Sequence, residues 1–188
     1  VEGLGHSYSD PNGYVGSFTP FLNELQTKSL SWENALTSSG RTFSAIPTLT
    51  GSLPFEQKGF LDIEKTPDHF NLFTILKKNG FETGFFYGGN SEFDNLKPYL
   101  EYSKVNQIND EYTFDNTYRK LPENNGESWG FEDQAVFRKA LKESSPNKPY
   151  FNTILTLSSH NSFKINDVSY FEKKYHEKIN DVSVIFTN

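Results

Sequence analysis

The sequence has no cysteine and no methionine among its 188 residues. The lack of cysteine excludes disulfides, thiolate metal sites and cysteine nucleophiles, and it is compatible with an oxidising compartment. The lack of methionine leaves no initiator residue, so we expect an internal or processed segment of a longer protein. No apolar run approaches the roughly 18 residues that span a bilayer. A membrane anchor is therefore expected only outside this chain.

Basic charge is also scarce. The 18 Lys and Arg residues are outnumbered by 24 Asp and Glu residues, which gives a formal net charge of -6. The basic residues are scattered and form no stripe, whereas a nucleic-acid surface needs clustered cations to neutralise phosphates. We therefore expect no nucleic-acid partner. Aromatic residues are abundant at 16%, which is typical of a globular chain and not of a disordered one.

Candidate strands and helices alternate along the chain, which is typical of an α/β domain with a largely parallel sheet. No internal repeat or low-complexity linker divides residues 1–188. Residues 103–130 are polar and are predicted to form a long excursion. The predicted strands are the end of one at residues 1–2, then 31–36, 82–87 and 150–157. The predicted helices are 17–29, 42–50, 69–78, 94–100 and 131–144, with partly helical sequence over 168–186.

Several polar positions follow predicted strands. They are Glu2, the loop before Thr42, the Gly-Gly-Asn sequence of residues 88–90 and the Ser-Ser-His sequence of residues 158–160. In open α/β sheets, ligands bind at the carboxyl ends of the strands. We therefore expect these four positions to converge on one edge of the sheet.

Thr42 opens a predicted helix, where free N–H groups and the helix dipole favour a phosphate oxyanion. A threonine hydroxyl becomes a nucleophile only when a base or metal lowers its pKa. Arg41 beside it can bind phosphate as a bidentate fork. The alternative is that Thr42 simply caps the helix, with Arg41 solvated.

The other candidates also have two interpretations each. Glu2 can hold a hard divalent cation or be a solvent-exposed carboxylate. His160 can bind metal or phosphate, shuttle protons, or be an ordinary loop histidine. Residues 88–90 can form a backbone nest for an anion or an ordinary turn, and Asp94 and Asn95 are placed to reach the same rim.

Seven short motifs occur in a fixed order along nearly the whole chain: Glu-Gly-Leu-Gly (2–5), Thr-Pro-Phe-Leu-Asn-Glu-Leu (19–25), Ser-Gly-Arg-Thr (39–42), Gly-Ser-Leu-Pro (51–54), Phe-Phe-Tyr-Gly-Gly-Asn with Phe-Asp-Asn (85–90, 93–95), Trp-Gly-Phe-Glu-Asp (129–133) and Leu-Ser-Ser-His (157–160). Together they resemble the lipoteichoic acid synthase and phosphoglycerol transferase group. That group belongs to the sulfatase branch of the alkaline phosphatase superfamily.

The resemblance implies a three-layer α/β/α sandwich on the extracytoplasmic face of a bacterial membrane, anchored by transmembrane helices outside this chain. Residues 1–188 would then be the N-terminal part of one catalytic domain. It also implies one Mn or Mg ion, a phospholipid or envelope-polymer substrate, and a covalent phosphoglycerol intermediate on threonine. By position, Glu2 would be a metal ligand, Thr42 both nucleophile and metal ligand, and His160 a ligand of the phosphate-bearing substrate.

Two departures from the family pattern bear on this resemblance. Family members supply an Asp-His metal pair beyond the His160 equivalent, and the sequence ends at Asn188 before any such pair. We therefore expect the 188 residues alone to be inactive or weakly metal-binding. The Gram-positive synthases also carry Trp and Arg where Asp94 and Leu96 stand here, which weakens the case for glycerol phosphate.

Other activities remain open. A formylglycine sulfatase is disfavoured, because the chain has neither Cys nor a Ser-x-Pro-x-Arg motif. Phosphoglycerol or phosphoethanolamine transfer and simple phosphodiester hydrolysis stay possible, as does a non-catalytic domain that binds an envelope polymer. The sequence leaves the oligomeric state open.

Overall fold

The computed structural model describes residues 1–13, 16–37, 40–53, 68–160 and 164–170. The chain divides into two units. Of the described residues, the first comprises Val1, those between 3 and 35, and 165–170. The second comprises Glu2 and residues 36–164. All the strands within the described residues lie in the second unit.

The first unit contains helix α1, Pro20–Gln26, and a short 3-10 helix, His6–Tyr8. Proline in the first turn starts α1, but the helix is shorter than the predicted range 17–29. Its apolar side is largely exposed, with Phe21 at 72% and Leu25 at 47%. The prediction of a strand at residues 31–36 is wrong, because these residues form a turn and irregular backbone. Trp32 is 75% exposed, so this stretch lacks the half-buried surface that a strand requires.

Three parallel strands form the sheet of the second unit, in the order β2-β1-β3. Strand β1, Glu82–Tyr87, has the predicted bounds, and β3, Tyr150–Leu155, ends two residues before the predicted end. The sequence does not predict strand β2, Gln107–Asn109, because it is three residues long and lies inside the polar excursion. Residues 1–2, predicted as the end of a strand, are not in one.

Helices cover both faces of this sheet. Phe85 and Phe86 are adjacent in β1, so their side chains point to opposite faces. Phe85 packs in a cluster with residues of α2, α3 and α4, whereas Phe86 packs with residues of α5. The architecture is therefore the predicted three-layer α/β/α arrangement. The helices are α2 (Thr42–Gly51), α3 (Leu72–Lys78), α4 (Leu96–Tyr102) and α5 (Asp133–Glu143).

Three of these helices begin later than the sequence predicts. Helix α3 starts at Leu72, because Asn71 caps it by accepting the Thr74 N–H at 2.9 Å. Helix α4 starts after Asp94 and Asn95, whose φ angles of 51° and 58° are left-handed. Helix α5 starts at its acidic first-turn residue rather than at residue 131. Most of the range 168–186 lies outside the described residues. No helix in the described ranges is long and apolar enough to cross a membrane.

Candidate active site

The carboxyl ends of the three parallel strands meet at one edge of the sheet, as predicted. The register pairs Tyr87 with Leu155 and Phe86 with Asn109, so β1, β2 and β3 end at similar heights. A cavity of about 730 Å³ opens at this edge. Its lining includes Glu2, Arg41, Thr42, Phe43, Tyr87, Asn90, Phe93, Asp94, Glu111, Asn124, Asn125, Glu127, Trp129 and His160.

The hydroxyl of Thr42 lies at the amino end of α2 and contacts Glu2. Arg41 is the N-cap residue, in extended backbone with φ -139° and ψ 146°, and Thr42 is the first helical residue. Thr42 Oγ1 donates a hydrogen bond to Glu2 Oε2 at 2.6 Å, across 40 positions of sequence. The interpretation of Thr42 as a simple helix cap is therefore wrong, because Arg41 is the cap and the hydroxyl donates outside the helix.

The loop after β3 holds the backbone of Glu2. The Glu2 N–H donates to Thr156 Oγ1 at 2.7 Å, and the Glu2 carbonyl accepts from Ser159 Oγ. Glu2 therefore reaches the sheet edge through hydroxyl contacts with this loop. The sequence predicts the correct place for Glu2 on the incorrect premise that it ends a strand.

His160 lies at the end of the same loop and lines the cavity. Its backbone N–H donates to the Leu157 carbonyl at 2.9 Å, and its ring centroid is 4.3 Å from that of Trp129, with the ring planes 41° apart. Arg41 also lines the cavity, and its carbonyl accepts from Ser44 Oγ at 2.7 Å. The predicted residues Glu2, Arg41, Thr42 and His160 are thus brought together around one cavity.

Asp94 and Asn95 differ in their relation to this cavity. Asp94 is among the lining residues of the described cavity and Asn95 is not. Asn95 is instead the left-handed N-cap residue of α4. The geometry therefore supports the predicted rim position for Asp94 and gives none to Asn95.

The Gly-Gly-Asn sequence of residues 88–90 forms an ordinary turn, not an anion nest. Neither glycine has a positive φ, which a nest of alternating handedness requires. A Cβ on Gly88 would lie 2.3 Å from the Phe131 carbonyl oxygen, so glycine here permits a close backbone approach. Asn90 Oδ1 accepts from the Glu92 N–H at 2.8 Å, which closes the turn.

Tyr87 and Glu111 are cavity residues that the sequence reasoning missed. Burial, with the nearby charges of Glu2 and Glu111, raises the pKa of Tyr87 from 10.0 to about 12. Tyr87 is consequently a neutral hydrogen-bonding group at physiological pH. It ends β1, so the carboxyl-end rule could have found it. Glu111 follows the missed strand β2, and its N–H donates to the Gly89 carbonyl at 3.0 Å.

Glu2 and Thr42 are oxygen donors of the kind that Mg²⁺ and Mn²⁺ prefer. Their oxygens are 2.6 Å apart, so both can face one ion. No group of three or more His, Cys, Asp or Glu side chains in the described ranges could hold a metal ion. The two residues fit as part of a ligand set, and the described residues do not complete it.

Comparison with known proteins identifies the family. The Sulfatase family model matches residues 1–183. The lipoteichoic acid synthase-like protein YvgJ of Bacillus subtilis (strain 168) is 24% identical over 153 residues, which cover 79% of this chain and 24% of that protein. The chain thus spans about a quarter of the length of this relative.

Two solved structures share the fold. A protein in the alkaline phosphatase superfamily from Vibrio parahaemolyticus matches with a TM-score of 0.73 and 24% identity, over 87% of this chain and 40% of that one. The lipoteichoic acid synthase LtaP from Listeria monocytogenes matches with a TM-score of 0.67 and 16% identity, over 80% of this chain and 37% of that one. The chain belongs to the sulfatase family, whose model matches residues 1–183, and its α/β/α layers agree with the fold of these two structures.

Proposed function

We propose that this chain forms part of a metal-dependent enzyme that transfers a phosphoester group, phosphoglycerol or a related head group, through a covalent intermediate on Thr42. The donor is a phospholipid, and the acceptor is an envelope polymer or lipid at the extracytoplasmic face of a membrane. One observation carries the proposal. The Thr42 hydroxyl, at the amino end of α2 and on the cavity wall, donates to the Glu2 carboxylate at 2.6 Å.

The position of Thr42 suits attack on phosphorus. The amino end of α2 directs N–H groups and a positive dipole end toward a bound phosphoryl oxygen, and Arg41 supplies a cation on the same wall. Thr42 Oγ1 forms the new bond to phosphorus while the bond to the leaving alcohol breaks. The Thr42 proton, now hydrogen-bonded to Glu2, is released to solvent as the bond forms, and the leaving alkoxide takes one proton from solvent, so protons and charge balance.

Glu2 and Thr42 are the residues that would hold the divalent ion expected of this superfamily. When bound, such an ion lowers the pKa of the attacking hydroxyl and neutralises charge on the phosphoryl group. His160 lines the same cavity, where its ring can hydrogen-bond a phosphoryl oxygen of the substrate. The acceptor hydroxyl then attacks phosphorus and releases its proton, the bond from phosphorus to Thr42 Oγ1 breaks, and Thr42 Oγ1 takes up one proton.

The test replaces Thr42 in the intact protein. Thr42→Ala is expected to lower phosphoglycerol transfer from a labelled lipid by about 10³-fold or more, since removal of a nucleophile costs that order of rate. Thr42→Ser keeps the hydroxyl and is expected to retain activity and to form a phosphoglyceryl-serine adduct visible by mass spectrometry. Thr48→Ala is the matched control, because Thr48 is on the same helix and its hydroxyl donates to the Leu53 carbonyl at 2.9 Å.

The same experiment separates the competing activities. Release of free glycerol phosphate with no labelled acceptor would indicate a hydrolase. Binding of envelope polymer with neither adduct nor turnover would indicate a non-catalytic domain. Unchanged transfer by Thr42→Ala would rule out the proposed nucleophile.

A further inference from the structure

The Trp-Gly-Phe-Glu-Asp sequence of residues 129–133 crosses the carboxyl edge of the sheet. We name these five residues the bridge segment. The segment leads into α5 and contacts the end of β1, the loop after β3 and the ring of His160. The reaction proposed above assigns it no role.

The middle of the bridge segment is fixed to the end of β1 by backbone contacts. The Phe131 N–H donates to the Gly88 carbonyl at 2.9 Å. Gly130 has a φ of +132°, and a Cβ there would lie 2.1 Å from the Gly88 carbonyl oxygen. The two backbones therefore approach more closely than any residue with a side chain would permit.

The end of the bridge segment is fixed to the loop after β3 by Asp133. Asp133 Oδ1 accepts two backbone hydrogen bonds, from the Leu157 N–H at 2.6 Å and the Ser158 N–H at 3.1 Å. The Asp133 N–H in turn donates to Ser158 Oγ at 2.9 Å. Three hydrogen bonds thus connect one residue of the bridge segment to two consecutive residues of the loop.

That loop carries two parts of the candidate site. Thr156 and Ser159 bind the backbone of Glu2 on either side of the residues that Asp133 fixes, and His160 follows directly. At its other end, the bridge segment places the half-exposed ring of Trp129 against the His160 ring, 4.3 Å between centroids. The His160 N–H donates to the carbonyl of Leu157, whose own N–H is bound by Asp133. Asp133 therefore acts on His160 through the loop backbone, and Trp129 contacts its ring.

We infer that the bridge segment sets the position of His160 and Glu2, and that Asp133 is its positioning residue. Asp133 acts as a hydrogen-bond acceptor for the loop after β3. A purely structural alternative is that its negative charge stabilises the amino end of α5. The consequence for catalysis rests on the proposed function, whereas the positioning of His160 does not.

The two interpretations predict different behaviour for a neutral acceptor. Asp133→Asn removes the charge but keeps an oxygen at Oδ1, and one carbonyl oxygen can accept both loop N–H groups. Asp133→Ala removes charge and acceptor together. If Asp133 acts by positioning, Asn preserves the site and Ala does not; if only the charge matters, both variants lose equally.

The direct readout is the tryptophan band of the near-UV circular dichroism spectrum, which reports fixed side-chain packing. All measurements use the intact protein with the background substitution Trp32→Phe, which removes the exposed tryptophan of the first unit. The spectrum of the same protein with Trp129→Phe is then subtracted, so that the difference contains the Trp129 band alone. His160→Ala defines the signal lost when Trp129 has no ring partner. Asp133→Ala is expected to lose most of that signal, while Asp133→Asn retains it.

Asp115→Ala is the matched control, because Asp115 also accepts a backbone N–H, from Thr117 at 2.8 Å, in an exposed turn. It should leave the Trp129 band unchanged.

In the transfer assay, Asp133→Ala is expected to lower kcat about 100-fold, the order expected for a displaced site residue, with a smaller change in KM. Asp133→Asn should restore kcat.

A full Trp129 band in folded Asp133→Ala would overturn the inference, and so would equal loss in the Ala and Asn variants. If Asp133→Ala does not fold, Asp133→Asn decides, since it removes the charge and keeps the acceptor of the two loop N–H groups; a lost band in folded Asp133→Asn would count against positioning. Unchanged transfer by Thr42→Ala would contradict the proposed reaction, but it would not affect the conclusion drawn from the circular dichroism band about the position of His160.

Discussion

At the scale of single residues, Tyr87 reports the electrostatic field of the cavity. Its pKa of about 12 arises first from burial and then from the negative charges of Glu2 and Glu111. Glu2→Gln removes one of these charges and is expected to lower the pKa of Tyr87. Burial remains in the variant, so the pKa should stay above the ordinary value of 10.0.

Alkaline difference spectroscopy measures this change, with Tyr87→Phe as the reference that isolates one phenol. Glu127→Gln is the control, because Glu127 lines the same cavity but is not among the causes of the shift. An unchanged Tyr87 titration in Glu2→Gln would contradict the close approach of Glu2 to β1.

The sequence predicts three of the cavity residues, Glu2, Thr42 and His160, and misses Tyr87 and Glu111, for a physical reason. Glu2, Thr42 and His160 stand at chain positions that local rules and motif order select. The side-chain contact between Glu2 and Thr42 spans 40 positions and depends on how the loop after β3 folds, which local rules do not predict. The position of Glu111 depends on strand β2, which forms by pairing with β1. A three-residue strand has no sequence pattern of its own from which it could be predicted.

At the scale of elements, the close approach between the bridge segment and β1 is testable with two glycines. Gly126 and Gly130 both have positive φ angles, of +86° and +132°, but only at Gly130 would an added Cβ have atoms of another segment within 4 Å. Gly126→Ala should cost about 1–2 kcal/mol of unfolding free energy, from backbone strain alone. Gly130→Ala adds a steric clash with Gly88 and should cost clearly more.

Urea unfolding of both variants measures the difference, and the Trp129 band shows whether the bridge segment has moved. Equal losses for the two substitutions would mean that the approach to Gly88 contributes nothing beyond strain. A larger loss for Gly130→Ala would place the packing at the sheet edge among the determinants of stability.

Elements with a strong local pattern are the ones that the sequence predicts best. Strand β1 has the predicted bounds, since its four central residues are all buried and three aromatic residues favour an extended strand. The predicted helix α3 is three residues too long, because Asn71 takes the capping position instead of continuing the helix. The range 31–36 has strand-like composition but pairs with no strand in the described residues, and composition alone could not show this.

At the scale of the whole molecule, the balance of charge around the cavity bears on the proposed metal. Among the described residues, the lining carries four carboxylates and one arginine. An anionic phosphoester entering such a cavity meets a repulsive field unless a cation compensates it. The oxygen donors Glu2 and Thr42 stand where a divalent ion would provide that compensation. The acidic lining is therefore compatible with the proposed phosphoester substrate if the proposed metal ion is bound. The carboxylates are Glu2, Asp94, Glu111 and Glu127.

The stability of the fold should fall in alkali, because buried tyrosines keep their protons in the folded state. Burial is the largest cause of the raised pKa of both Tyr87 and Tyr99. A group whose folded pKa exceeds its unfolded value stabilises the fold fully below the unfolded pKa and loses that contribution as pH rises through the folded pKa. For Tyr87 the window runs from pH 10.0 to about 12.

Urea midpoints measured across this window should therefore decrease, and the decrease should be smaller in Tyr87→Phe, which has no phenol to ionise. Tyr112→Phe is the control, because it removes a phenol that is 70% exposed, and its midpoints should follow those of the wild type. The comparison uses differences between variants, so lysines and other tyrosines that titrate in the same range cancel. Parallel curves for Tyr87→Phe and the wild type would show that the Tyr87 phenol ionises without cost to the fold, contrary to its position beside Glu2 and Glu111.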